Sequence, residues 1–513
     1  MPSRTWWLLL GLLTVLSMAR VAATHRTFSQ VFDEPWHIST GYEILTKGEF
    51  RYDMDHPPLA RVLAALPFLA APQPPATDPV GEGNELLLQG DEYVENLALA
   101  RFGNLLFLAL GIIAVALWGR HLFTPAVGLL AALLYASLPP ILAHSGFATT
   151  DMAIAATLPL AFYALTLFLE EASWRRTILL GVAVALGLLS KYSFLVYFPI
   201  GAAILVLLRR RFPFLRALAA TALAFLIVWA SYGFAFASLA ETDPRANEML
   251  RDVFGSTRLA TVPLPAPAYV AGVIHVKRHD LRGHEAFLLG EVRTHGWWYY
   301  FPITLFFKTP IPFLLLAIAG VFAARRHPEL SLIAAAILLM AMTSHINIGV
   351  RHVLPIYAPL AICAAAAITA WPRLRMAAIA LVLWVVAGSA LAHPDYLPWF
   401  NGFARHPEAI LSDSNLDWGQ DVLRLSETAK RLSIRRMTVS IFTTAPREHL
   451  GLPAQDRLPL LQPVHGWLAI SEMSIAYGRG RDPELRVWLD RLLDGKPYLR
   501  VGKSIRLYHL DDQ

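Results

Sequence analysis

Apolar runs, repeated along the chain and separated by short polar links, constrain this sequence more than any other feature. They occupy residues 6–18, 97–118, 126–143, 152–169, 177–190, 194–208, 217–237, 301–324, 332–343, 353–370 and 376–392. Of the 513 residues, 56% are hydrophobic and 16% charged, more apolar surface than one soluble core of this length can hide. The bilayer must solvate part of it. The expected fold is an all-α polytopic membrane bundle of about eleven transmembrane helices, although a span needs about 20 residues and several runs are shorter. The run 6–18 follows Arg4, and Val21-Ala22-Ala23 after it has the look of a signal-peptidase site. Retained or cleaved, it delivers the next segment to the outer side. Residues 59–71 are apolar but too short to span, and read as an interfacial helix.

Basic residues orient the bundle. Clusters stand at Arg120-His121, Trp174-Arg175-Arg176, Arg209-Arg210-Arg211 with Arg216, Arg325-Arg326-His327, and Arg373 with Arg375. Lysine and arginine concentrate in cytoplasmic loops, so all five clusters belong on one side. That requires 177–208 to be a hairpin with Ser190-Lys191-Tyr192-Ser193 at its outer tip, because a single helix would put Arg176 and Arg209 on opposite faces. The outer side then receives 24–96, 144–151, the Lys191 tip, 239–300, 345–352 and everything from 393 onward. The chain divides into a membrane module, 1–392, and a small α+β extracytoplasmic domain, 393–513. In the latter, 421–432 has helical spacing, while 437–442, 467–470 and 504–510 read as strands. The net charge of +6 follows from the topology clusters, and no folded basic patch suggests nucleic acid as a partner. Cys363, the only cysteine, lies in an apolar run, which excludes an intramolecular disulfide and a cysteine metal site.

Chemistry-bearing residues collect in the outer segments. Asp33-Glu34-Pro35-Trp36-His37 opens the first loop, followed by Asp53, Asp55 and His56-Pro57-Pro58-Leu59. Adjacent carboxylates at a membrane surface suit a general base, or a divalent cation held with nearby histidines, for which Glu34 and His56 are the candidates. Asp33 equally suits the N-cap of a helix running through His37, and Asp151 the N-cap of the helix that follows it. A helix N-terminus also attracts phosphate. Lys191 at the hairpin tip and Arg351-His352 at another outer helix end supply cations, whose alternative role is to snorkel to the interface. Trp297-Trp298-Tyr299-Tyr300 reads as an interfacial aromatic belt, with Trp297 and Trp298 as weak candidates for stacking on a sugar. Lys308, within the next run, must face protein or a cavity and can approach a lipid phosphate. Gly502-Lys503-Ser504 imitates a phosphate-binding loop, but Pro497 stands where the first glycine belongs.

With these residues in view, the chain resembles the phospholipid-carrier-dependent glycosyltransferases, the group containing protein O-mannosyltransferases and lipid A aminoarabinose transferases. The resemblance rests on Asp33-Glu34, His56-Pro57-Pro58-Leu59, Thr150-Asp151, Ser190-Lys191, Lys308-Thr309-Pro310, Arg351-His352-Val353-Leu354-Pro355 and the stretch from Asp413 to Asp421. Each motif is short; their order and common side make the set specific. It implies the C-type glycosyltransferase fold, a polyprenyl-phosphate sugar donor, an acceptor in the cell envelope of a bacterium, and inversion at the anomeric carbon. It also implies Asp33 as base, with Glu34 and Asp151 supporting it or binding a metal. Lys191, Arg351 and Lys308 become candidates for the donor phosphate, with His56, His352 and Asp55 nearby. A divalent metal is optional on this logic. The rival reading is a transporter or flippase for a polyprenyl-linked substrate. Transporters place ionisable groups near the midplane and often carry internal repeats, whereas these acids cluster at outer helix ends and no repeat is visible.

Overall fold

A computed structural model describes residues 3–50, 52 and 54–510. Each of the eleven apolar runs is helical, but they do not make eleven straight spans. Among the described residues, six helices are long and apolar enough to cross a membrane: Arg4–Ala22, Tyr93–Leu122, Asp151–Glu170, Phe214–Ser231, Val350–Ala370 and Pro372–Leu391. Two further runs are broken. Pro125–Ala136 bends by 67° into Pro139–Ser145, and Tyr300–Lys308 bends by 116° into Ile311–Ala323, giving at most eight spans if each pair counts as one. The cause lies in the sequence, since Pro139-Pro140 and Pro310-Ile311-Pro312 remove backbone donors at both breaks. Trp174–Leu188, Phe194–Arg209 and Glu329–Ala341 are shorter. Length and composition thus give six to eight such helices among the described residues and do not reproduce the expected eleven, because the three shorter helices are not among them.

The hairpin is present, with Lys191 in the turn between Trp174–Leu188 and Phe194–Arg209. Links carrying basic residues also meet on one face. His121 Nε2 lies 2.8 Å from Glu170 Oε1, Arg209 lies 3.5 Å from Glu170 and 3.3 Å from Glu329, and His327 lies 3.3 Å from Glu329. Arg176 reaches Glu171 at 3.4 Å, and Arg216 stacks on Trp174. Asp151 opens the 20-residue helix that ends at Glu170, so it lies about 30 Å from this network at the opposite face. The bundle packs closely where glycine allows it. A side chain on Gly320 would run into the Cys363 carbonyl of the helix Tyr357–Ala370, and one on Gly128 into the Ala116 carbonyl.

The segment after the last span carries a five-stranded sheet in the order Ala454–Arg457, Arg436–Ser440, Gly466–Ser471, Ile505–Leu510, Tyr498–Val501. The first three strands run parallel and the last two pairings are antiparallel. The expected helix appears as Val422–Arg431, and the three expected strands are there. Sequence reading missed the edge strands Ala454–Arg457 and Tyr498–Val501 and the helices Glu472–Arg481 and Pro483–Leu493. The polar edge strand Ala-Gln-Asp-Arg has no apolar alternation to betray it. Gly320→Leu should cost about 1–3 kcal/mol by forcing the helices Ile311–Ala323 and Tyr357–Ala370 apart, read as a lower thermal midpoint of the detergent-solubilised protein.

Candidate active site

Asp33 and Glu34 are neighbours with different surroundings. Asp33 occupies the N-cap position of Glu34–Lys47, yet its side chain makes no capping bond. Instead Asp33 Oδ2 accepts a hydrogen bond from Arg351 Nη1 at 2.6 Å. The same nitrogen lies 3.8 Å from Asp151 Oδ2, and Lys191 Nζ is paired with Asp151 Oδ1. Four separate segments of the chain thus bring two carboxylates and two cations together. Asp33 is the most open of the four, with 28% of its side chain exposed. The Arg351 guanidinium lies over the Trp418 ring, 4.4 Å from its centroid.

Glu34 does not share this role, which corrects its assignment as a catalytic or metal-binding acid. It is fully buried, and both oxygens are saturated. Oε1 accepts from Arg101 Nε at 2.7 Å and from the Ala148 N–H at 2.8 Å; Oε2 accepts from Arg101 Nη2 and from the Val31 N–H, each at 2.8 Å. Arg101 donates its remaining hydrogens to the carbonyls of His25, Phe28 and Ser29. All five guanidinium donors are used. No lone pair of Glu34 remains for a cation, and among the described residues no group of three or more His, Cys, Asp or Glu could hold a metal. Arg101 was the readable signal overlooked, because a charge inside the run 97–118 demands a buried partner.

Lys308 is likewise engaged elsewhere. Its Nζ donates to the carbonyls of Leu397 at 2.7 Å, Trp399 at 2.5 Å and Asn415 at 2.7 Å, which uses all three ammonium hydrogens. It bolts the tail to the membrane body and has no donor left for a phosphate. Trp297 is only 5% exposed and its ring faces Arg293, so it offers no face to a sugar; the exposed neighbour is Trp298, at 67%. Asp55 Oδ1 lies 3.4 Å from His275 Nδ1, whose Nε2 is 2.7 Å from Asp243 Oδ2, in a cluster with the loop 239–300. Asp53 lies outside the described residues.

Histidines surround the acidic pair. His37, one turn after Asp33, accepts a hydrogen bond at Nδ1 from Arg61 Nε at 3.3 Å. His56 stacks edge-on against it with ring centroids 5.1 Å apart. Burial holds both imidazoles well below the ordinary histidine range, and the Arg61 guanidinium adds to the effect. Both rings are therefore neutral beside Asp151 and Lys191. The His352 carbonyl accepts from Tyr197 OH at 3.1 Å.

A further acid enters from the tail. Asp413, in left-handed backbone at φ 56° and buried, interacts electrostatically with Arg351 and Asp33. Burial pushes its carboxyl up to about 6 despite the pull of Arg351. Asp413 heads the motif 413–421, and only the fold shows that this stretch reaches the site. Asp417, pushed up to about 7 by burial, accepts from the Met473 N–H at 2.8 Å inside the tail. Chemically, the site offers a partly open carboxylate beside paired cations, the parts for removing a hydroxyl proton next to a bound anion.

Residues 94–232, which contain Asp151 and Lys191, match the family model of dolichyl-phosphate-mannose-protein mannosyltransferases. No curated protein matches the chain significantly by sequence. Among solved structures, ArnT from Cupriavidus metallidurans bound to undecaprenyl phosphate aligns at 12% identity over 99% of this chain and 98% of that one, with a TM-score of 0.52. The same protein in its apo state aligns at 13% identity over 98% of each chain, with a TM-score of 0.54. These likenesses establish the fold expected from the resemblance.

Glu34→Ala should destabilise the protein by about 3–5 kcal/mol, because it strands the buried Arg101 charge. Thermal unfolding in detergent would show it, and an unchanged midpoint would contradict the structural role. Over residues 94–232 the chain is thus similar to the mannosyltransferase family, and over its whole length it has the C-type glycosyltransferase fold.

Proposed function

We propose that this glycosyltransferase moves one sugar from a polyprenyl-phosphate carrier to an acceptor hydroxyl in the cell envelope, with inversion, at the extracytoplasmic face of a bacterial inner membrane. The observation that carries the reading is the Arg351 guanidinium bonded to Asp33 and beside Asp151, with Lys191 on the other oxygen of Asp151. One fold neighbour, ArnT, was solved with undecaprenyl phosphate bound, in keeping with a polyprenyl-phosphate donor.

The proposed step is a single displacement. The acceptor oxygen attacks the anomeric carbon while the bond from that carbon to the phosphate oxygen breaks. The acceptor proton passes to Asp33, and polyprenyl phosphate leaves with the bonding electrons. Arg351 and Lys191 meet the negative charge that develops on the leaving oxygen. A donor phosphate arriving at Arg351 competes with Asp33 for the guanidinium, which frees the carboxylate to turn to the acceptor hydroxyl. Phosphate is already a fair leaving group, so a positioned base and positive charge suffice.

Sidedness follows from the ion-paired basic face, which the positive-inside rule assigns to the cytoplasm. Residues 1–392 then form the membrane module, and 393–513 lie outside. With cysteines placed at exposed Ser256 and Arg211, a membrane-impermeant maleimide should label Ser256→Cys from the extracytoplasmic side and leave Arg211→Cys untouched until the membrane is opened. Asp33→Asn should abolish transfer from radiolabelled polyprenyl-phosphate sugars while inserting normally; wild-type turnover would remove Asp33 as base. Lys191→Ala and Arg351→Ala should raise the KM for the lipid donor about ten-fold or more, as expected for losing a charge-assisted contact.

A further inference from the structure

The tail segment 415–418 holds both members of the Asp33–Arg351 pair. Asn415 Oδ1 accepts the N–H of Val350, the residue before Arg351, at 3.0 Å. The Trp418 carbonyl accepts the N–H of Phe32, the residue before Asp33, at 2.9 Å. The Trp418 ring, 1% exposed, lies beneath the Arg351 guanidinium. One short stretch of tail therefore grips each partner by its neighbouring backbone and one of them also by its side chain.

Both gripping residues are themselves fixed. Asn415 is fully buried; its carbonyl receives Lys308, and its Nδ2 donates to Tyr300 OH at 3.1 Å and to the Ser412 carbonyl at 3.2 Å. The Trp418 N–H donates to Gln420 Oε1 at 2.8 Å, and its ring meets Phe147 edge-on at 6.0 Å. Next to them, Ser414 Oγ donates to the Ile348 carbonyl at 2.6 Å, and the Ser29 N–H donates to the Gln420 carbonyl at 3.0 Å. The tail is thus hydrogen-bonded on one flank to 348–350 and on the other to 29–32.

We infer that Asn415 and Trp418 are positioning residues, a clamp that sets the separation and aim of Asp33 and Arg351. The segment after the last span then completes the reaction centre and is more than a cover over its mouth. The physical ground is that misplacing a reacting group by about 1 Å can cost on the order of a hundred-fold in rate. The clamp stands on geometry alone; only its consequence for rate rests on the proposed roles of Asp33 and Arg351.

The test uses the full-length protein in detergent or nanodiscs and has two arms. In the first, amide hydrogen exchange is followed over 347–352 in wild type and Asn415→Ala. The clamp predicts faster exchange there in the variant, and unchanged protection would overturn it. In the second, transfer is measured in Asn415→Ala, Arg351→Ala and the double variant. A residue acting through Arg351 should slow turnover about ten-fold or more alone and add nothing once Arg351 is gone. Additive losses would mean general structural damage and overturn the positioning role. Should Asn415→Ala fail to fold, Trp418→Leu keeps every backbone hydrogen bond and removes only the ring beneath Arg351. It should slow turnover about ten-fold, with Trp418→Phe recovering most of the loss; wild-type turnover in Trp418→Leu would overturn the clamp. A wild-type protein inactive with every polyprenyl-phosphate sugar would refute the proposed reaction, while the exchange arm would still decide the clamp.

Discussion

The buried ion pair of Glu34 and Arg101 is the interaction on which the half of the molecule that carries the candidate site depends. Taking two charges out of water costs several kcal/mol per ion, repaid only when geometry and secondary hydrogen bonds are complete. Here they are complete: every guanidinium hydrogen and both carboxylate oxygens find partners. Those partners come from 25–31, from the long helix Tyr93–Leu122 and from the approach to Asp151, so one pair ties together the segments that carry the acids. Asp33 inherits a defined position from its neighbour while its own carboxylate stays partly open. Of two adjacent acids, one is sealed as an anchor and the other stays partly open.

Charge balance explains the mouth of the site. Asp33 and Asp151 offset Arg351 and Lys191, so the cluster is close to neutral and can persist in a weakly solvated place. Neutral His37 and His56 add no positive charge beside it. In the proposed reaction an incoming phosphate takes a cation from a carboxylate, which would link donor binding to release of the base. A third cation, Lys308, could have overbalanced the cluster, but three carbonyls hold it away as the bolt that seats Asn415.

Much of the architecture was legible in advance, because apolar length and basic links are local signals with a direct physical meaning. The hairpin around Lys191 followed from charge alone, and the ion pairs joining His121, Glu170, Arg209 and Glu329 show why these links share a face. Straightness was not legible by run length. The Pro139 and Pro310 breaks turned two runs into bent pairs, a prolyl effect visible in the sequence that a hydropathy reading averages away. Within the site, Asp33, Asp151, Lys191 and Arg351 were chosen for standing at outer helix ends, and the fold does bring them together. Glu34 was chosen beside Asp33, Lys308 as a charge within an apolar run and Trp297 as an aromatic face, and all three are engaged by structural partners, because residue type and position say nothing about which partners saturate a side chain.

What this sequence determined by itself was a many-helix membrane body, the common face of its basic links and the gathering of acids and cations at the other face. Periodicity, length and charge act over a few residues and need no distant partner. Only tertiary structure decided that Glu34 would be sealed against Arg101, that Lys308 would be claimed by the tail, and that Asn415 and Trp418 would reach back to Val350, Phe32 and Arg351. Those contacts join positions far apart in the chain. Burial and hydrogen-bond saturation, which separate an available charge from an occupied one, exist only once the chain has closed on itself.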